Sequence, residues 1–318
     1  MNTRVLAAAL MCVLGSTAHA QSYPSKTVRI IVPFAPGGGS DFIARQIAPP
    51  LTKAMGQQFV VDNRPGAGST LGSEIALKSP ADGYTLLLIS GSYTTSPSLY
   101  KNLKYDPLND MASVIQTENG PYVVTVHPSL PAKNVKELVA IAKARPGQLN
   151  YASTGNGGIT HLSAELFAMR TGIKITHIPY KGTGPGVIDT IAGNTQMMIG
   201  AVSAVIGHMQ NGRLRGLAVS SPKRLPALPN VPTVMEGGIN YQVNNWHGVI
   251  APKGTPKPVI DRLNSEINKA IKDPEFAKRI ALDGLEPAGG TPDEFYTLLK
   301  REVVEWAEVV KAANVKAD

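Results

Sequence analysis

Val28-Arg29-Ile30-Ile31-Val32-Pro33-Phe34-Ala35-Pro36-Gly37-Gly38-Gly39-Ser40-Asp41 is the stretch that decides the fold. Its first six residues, β-branched and apolar apart from Arg29 and Pro33, read as a buried strand. Glycines then end the strand, and Asp41 to Met55 follows with the spacing of an amphipathic helix. Working outward, the same order continues. Phe59 to Asp62 is a strand, Arg64-Pro65-Gly66-Ala67-Gly68-Ser69 a loop and Thr70 to Lys78 a helix. Tyr84 to Ser90 is the next strand, and Gly91-Ser92 ends it. Pro49-Pro50 lies inside the first helix, where two missing backbone donors predict a bend or a break.

The second half of the chain repeats this order. Leu149 to Ser153 is a strand that ends in Thr154-Gly155-Asn156-Gly157-Gly158-Ile159, with a helix predicted from about Thr160. Ile175 to Pro179 then leads through Tyr180-Lys181-Gly182-Thr183-Gly184-Pro185-Gly186 to a helix from Val187. Gln196 to Gly200 is the third strand, followed by Ala201-Val202-Ser203. The first helix starts of the two halves, Asp41 and Thr160, lie 119 residues apart. Strands alternating with helices predict parallel sheets covered by helices, and ligands of such sheets bind outside the carboxyl ends of the strands. Two such lobes facing each other would line one cleft with six loops, which is a clamshell. Tyr122 to His127 and Trp246 to Pro252 are the predicted crossings. Residues 21–124 with 249–318 are expected to form one lobe and residues 125–248 the other. Helices predicted over Pro256 to Lys272, Pro274 to Asp283 and Pro292 to Ala312 each begin with proline and are expected to return and cover the first lobe.

Compartment and charge narrow the function. Met1 to Arg4 is a positive start, Val5 to Gly15 is apolar but too short to span a bilayer, and Ala18-His19-Ala20 is a small-x-small cleavage pattern. Residues 1–20 therefore read as a secretory signal cut after Ala20, which directs the protein to the periplasm. The single cysteine, Cys12, lies inside that segment, so the mature chain is expected to have no disulfide, thiol nucleophile or cysteine-bound metal. Without Arg4 the balance is 30 basic against 23 acidic residues, a net charge of +7. These charges are scattered among acids and aromatics are few, so no nucleic-acid partner is expected. A mild field that attracts anions remains.

Each strand that ends in glycines and feeds a helix presents unpaired backbone N–H groups and the positive end of a helix dipole. That is an anion site without a lysine or arginine. Competing chemistries fit poorly. Gly66-Ala67-Gly68-Ser69-Thr70-Leu71-Gly72 follows the second strand rather than the first, and no acidic ribose partner follows it, so a dinucleotide is not expected. No Gly-Lys-Ser/Thr and no G-x-S-x-G occurs. The five mature histidines (127, 161, 177, 208, 247) lack metal-ligand spacing. Neither a cofactor nor catalysis is demanded. A hydrolase built on Ser163 and His161 is the weakest alternative.

Tyr23-Pro24-Ser25-Lys26-Thr27-Val28-Arg29 before Val32-Pro33-Phe34-Ala35-Pro36-Gly37-Gly38 and Asp41 resembles the start of the Bug-type, TctC-like solute-binding proteins of tripartite tricarboxylate transporters. Asn63-Arg64-Pro65-Gly66-Ala67-Gly68, Pro80-Ala81-Asp82-Gly83-Tyr84-Thr85 and Tyr151-Ala152-Ser153-Thr154-Gly155-Asn156-Gly157 continue the resemblance. So do His161-Leu162 with Glu165, Pro179-Tyr180-Lys181-Gly182, and Trp246 through Pro256, so that the mature chain is covered in order. The resemblance implies a periplasmic-binding-protein-like α/β clamshell, two crossing segments and a carboxylate held between the lobes. Carried over by position, it implies contacts from Phe34, Ala35, Gly38, Ser40 and Asp41 on one side. On the other it implies Ser153, Thr154, Gly155, Gly158 and His161, with Gly91, Tyr180 and Ser203 as further candidates. Asp41 also fits a helix cap. Family members often carry acids where this chain has Gln196 and Gly200, which favours a plain carboxylate, citrate-like or aromatic such as terephthalate, over an amino acid. The implied partners are that carboxylate and the permease subunits of a tripartite tricarboxylate transporter, with the protein itself a monomer. A ligand sensor docking on a receptor kinase is the other reading.

Overall fold

The structure, a computed structural model, describes residues 23–37, 39–180, 183–281 and 284–316. The proposed signal segment and Gly38 lie outside the described residues. Among those described, no helix is long and apolar enough to cross a membrane.

The repeat read in the sequence is a repeat of topology. Strands β1 (Val28–Val32), β2 (Phe59–Asn63) and β3 (Thr85–Ser90) pair in parallel in the order β2-β1-β3. In the second lobe β5 (Asn150–Ser153), β6 (Thr176–Pro179) and β7 (Met197–Ala201) pair in parallel in the order β6-β5-β7. In the first lobe the triplet alternates with helices α1 (Gly39–Met55), α2 (Thr70–Leu77) and α3 (Gly91–Leu99). After the intervening α4 (Val135–Ala144), the second triplet alternates with α5 (Ile159–Thr171), α6 (Thr183–Ile191) and α7 (Val202–Gln210).

A single long strand ties the lobes together. β4 (Met111–Val126) runs antiparallel to β9 (Asn244–Pro252) as far as Pro121. From Tyr122 onward it pairs antiparallel with β7 and with β8 (Arg215–Val219). β9 also pairs antiparallel with β3, and β10 (Glu286–Gly289) adds to the first half of β4. The sequence showed only the second half of β4. Before Pro121 it contains Glu118, Asn119 and Gly120, residues poor in strand propensity that neighbouring strands nonetheless hold extended.

The first lobe packs Ile30, Val32, Ile43, Ile47 and Leu51 against Ile260, Leu263 and Ile267 of α8 (Lys257–Ile271), with Phe276 and Ile280 of α9 (Pro274–Ala281). These two helices cover the first lobe, as expected. The last, α10 (Pro292–Ala312), goes further. Its Phe295 and Leu299 pack in the first lobe, whereas Trp306, Val309 and Val310 belong to the core of the second, with Leu166 and Phe167. α1 runs through Pro49-Pro50 without a break. Pro49 is exposed and Pro50 half-buried, while Ile43, Ile47, Ala48 and Leu51 hold the buried face. The carbonyls that lose a donor can turn to water there, so packing overrides the local cost.

Candidate ligand-binding cleft

A cleft of about 660 Å³ lies between the lobes, and each of the six strand-to-helix loops reaches it. Phe34, Gly39 and Ser40 come from the first loop, Gly68 from the second, and Ser90, Gly91 and Ser92 from the third. The second lobe supplies Thr154 to Thr160, then Thr183, then Ala201, Ser203 and Ala204. The N-terminal ends of α1, α3, α5, α6 and α7 thus converge, each adding partial positive charge. Among the described lining residues there is no Asp, Glu, Lys or Arg, and hydroxyls and small apolar groups make up most of the wall.

The two leading loops are held by the same device. Asp41, third residue of α1, accepts the Gly37 N–H at 2.9 Å and the Arg45 Nε–H at 2.9 Å. His161, third residue of α5, accepts the Gly157 N–H on Nδ1 at 3.0 Å. Each side chain therefore reaches back four residues to a loop glycine in the left-handed region, Gly37 with φ 83° and Gly157 with φ 69°. The Arg45 hydrogen bond holds the Asp41 carboxyl below its usual range. Burial, with the neighbouring His177, lowers His161 to about 4, so the ring is neutral and its proton sits on Nε2. Behind the second loop the ring of His161 stacks on His177 at 3.7 Å between centroids, and Tyr151 stacks on His177 at 5.0 Å. Tyr151 donates to Glu165 at 2.5 Å, and burial raises both groups. Close packing also pins the first loop. A Cβ on Gly72 of α2 would lie 2.6 Å from the Arg64 carbonyl oxygen and 2.8 Å from Pro33 Cα.

Of the residues singled out in the sequence, Phe34, Ser40, Gly91, Thr154, Gly155, Gly158 and Ser203 line the cleft together. Ala35, Asp41, Ser153, His161 and Tyr180 are not among its lining, and Gly38 is outside the described residues. Ser153 is buried with its hydroxyl 2.6 Å from His177 Nε2 and accepting the Gly155 N–H, so it shapes the loop from below. Tyr180 donates to Asp189 at 2.6 Å. His161 faces a separate hollow with Glu165, His177 and the residues after α10. Ser163 is fully buried with its hydroxyl on the Ile159 carbonyl at 2.6 Å, not on His161. Gln196 accepts the Asn150 N–H at 2.9 Å, and neither it nor Gly200 lines the cleft. Those two positions therefore do not bear on whether the ligand carries an amine. Tyr122, Asn245 and His247 from the crossing strands, and Thr95, Ser96 and Leu99 from α3, line the cleft without having been singled out. Among the described residues no group of three or more His, Cys, Asp and Glu is placed to hold a metal.

Two α/β lobes in the same β-order, joined by crossing strands over a cleft of helix N-termini, define a solute-binding protein. The chain belongs to the tripartite tricarboxylate transporter receptor family (TctC), which it matches over residues 43–315. It is 38% identical to protein BugT of Bordetella pertussis, over 95% of this chain and 94% of that protein. Among solved structures it is similar to Rpa4515 of R. palustris with adipate, with TM-score 0.82 and 34% identity over 92% of this chain and 99% of that one. MatC from Rhodopseudomonas palustris with bound malate gives TM-score 0.79 and 28% identity, over 91% and 100% of the two chains.

Proposed function

We propose that this protein captures a small di- or tricarboxylate between its lobes in the periplasm and delivers it to the permease subunits of a tripartite tricarboxylate-type transporter, without transforming it. The observation that carries this reading is the convergence of helix N-termini on a cleft whose described wall holds no carboxylate. A dianion there meets backbone donors from both lobes. Each hydrogen bond to a charged group contributes roughly 1.5–3 kcal/mol, so a few suffice for the roughly −8 kcal/mol of micromolar binding. The neighbours with adipate and malate hold ligands of this class. The leading contacts are the wall positions Phe34, Ser40, Gly91, Thr154, Gly155, Gly158 and Ser203, with Gly38 beside them. Ala35, Asp41, Ser153, His161 and Tyr180 act through the loops they support. We place the lobe boundaries near those expected at 124/125 and 248/249; the change of partners of β4 between Pro121 and Tyr122 and the start of β9 at Asn244 support crossings in these two segments.

Thermal shift against aliphatic and aromatic di- and tricarboxylates tests the reading. Saturation at about 100 times Kd stabilises the folded state by about 2.7 kcal/mol. A panel in which no carboxylate raises the melting temperature would overturn it. Carboxylate binding by the purified protein, together with uptake that deletion of the gene leaves unaffected, would favour the sensor role instead.

A further inference from the structure

We propose that His247, backed by the buried carboxylate of Glu118, is the cationic group that reads the ligand's anion, taking up a proton as a carboxylate settles at the start of α1. The inference rests on the carboxylate-binding reading above and adds to it a residue and a proton. His247 lies on β9 directly opposite Glu118 on β4 and Ser90 on β3, so strands on both sides fix its backbone. It is only 5% exposed, yet it lines the cleft. Its Nδ1 lies 2.5 Å from Glu118 Oε1, and the other oxygen of this fully buried carboxylate accepts the Thr117 hydroxyl. The opposite edge of the ring points at the first residue of α1. A Cβ on Gly39 would lie 3.7 Å from Cε1 and 3.9 Å from Nε2.

The chemistry follows from the tautomer. With Nδ1–H given to Glu118, a neutral ring turns the lone pair of Nε2 toward the cleft. A carboxylate drawn to the α1 N-terminus meets that lone pair and is repelled. A proton from solvent on Nε2 turns the contact into a charge-assisted hydrogen bond, and Glu118 offsets the charge of the ring. His247 is the one imidazole among the described lining residues, which include no Lys or Arg. Other charged or titratable groups nearby are engaged elsewhere. Asp41 is closed on Arg45 and Gly37, and Glu302 bonds Trp246 through its indole. The Tyr122 hydroxyl lies 3.4 Å from Asn245 and burial lifts it above its usual range. The Tyr100 phenol completes the set at the cleft wall.

Titration calorimetry of the whole protein tests this, with adipate as probe, or with the tightest carboxylate of the panel if adipate is weak. Measured in buffers of different ionisation enthalpy, binding should take up protons. Followed from about pH 6 to pH 9, its affinity should fall as pH rises, by at most about tenfold per unit for one proton taken up. His247→Gln should keep a neutral donor, bind more weakly at the acidic end and lose the pH slope. Glu118→Gln should move the slope to lower pH. Affinity flat across that range in the unmodified protein, or a slope that survives in His247→Gln, overturns the proposal while leaving carboxylate binding intact. Failure of every carboxylate to bind would instead overturn the parent reading. The unmodified protein alone decides the matter if a variant does not fold.

Discussion

Asp41 and His161 are the same residue twice in physical terms: each ends a loop by accepting a glycine N–H four positions back. They differ in how acid affects them. His161 titrates at about 4 in the folded protein against about 6.5 for an ordinary imidazole, so the unfolded chain binds the proton first. Its contribution is therefore constant above pH 6.5 and is lost as pH falls from there toward 4, by up to about 3 kcal/mol. Asp41 acts in the same direction, since its lowered carboxyl stabilises above the unfolded value and that stability is lost on protonation. Urea midpoints followed from pH 7 to pH 4 should fall in the unmodified protein and fall less in His161→Gln. An equal slope in the two proteins would mean that the ring is not the acid-sensitive group. Asp41→Ala should cost about 1–2 kcal/mol at neutral pH, because one loop N–H loses its acceptor and Arg45 its partner.

At the level of elements, α10 carries the most unusual buried group. Glu302 is raised to about 7 by burial, and it takes the Trp246 indole N–H at 2.8 Å. The Thr94 hydroxyl lies 2.9 Å from its other oxygen and 2.8 Å from the Gly91 carbonyl, and a hydroxyl has one proton to give. A protonated Glu302 that donates to Thr94 satisfies both contacts, joining α10 to the third loop of the cleft. For an acid raised on folding, the cost grows as pH climbs from about 4.5 through 7, reaching about 3 kcal/mol. Glu302→Gln supplies the same acceptor and donor without a charge, so it should be more stable than the unmodified protein at pH 8 and equal to it near pH 5. Chemical denaturation at those two pH values checks both halves. None of this was visible in the sequence, where Glu302 is one charge among several on an amphipathic helix. Local signals sufficed for β1, β3 and the proline-led tail helices, because glycines, prolines and apolar runs act on their own neighbourhood; in α1 they located the helix but wrongly predicted a bend or break at Pro49-Pro50, which packing overrides. They failed for β4, and for α3 with its serines, threonines and Pro97, where distant partners decide. Of the site, the six loops were legible from glycine spacing. His247 was not, since Glu118 lies 129 residues away.

At the scale of the molecule, two lobes with separate cores would ordinarily unfold separately. Here three segments cross between them, and they differ in kind. β4 crosses as an extended strand whose backbone pairing changes partners between Pro121 and Tyr122, and the chain crosses back where β9 begins at Asn244. α10 crosses as a helix that places Phe295 and Leu299 in one lobe and Trp306, Val309 and Val310 in the other. Strands that pass from one sheet to another can bend at the crossing. A helix buried at both ends resists bending, so α10 makes the stability of each lobe depend on the other. Calorimetry of the ligand-free protein should therefore show one transition, with calorimetric and van't Hoff enthalpies equal. Trp306→Ala empties a buried site in the second lobe alone and should cost about 3–5 kcal/mol. If the helix is what couples the lobes, that variant should also split the transition in two, with a saturating carboxylate restoring a single one by bridging both lobes across the cleft. One transition in Trp306→Ala without ligand would assign the coupling to β4 and β9 instead.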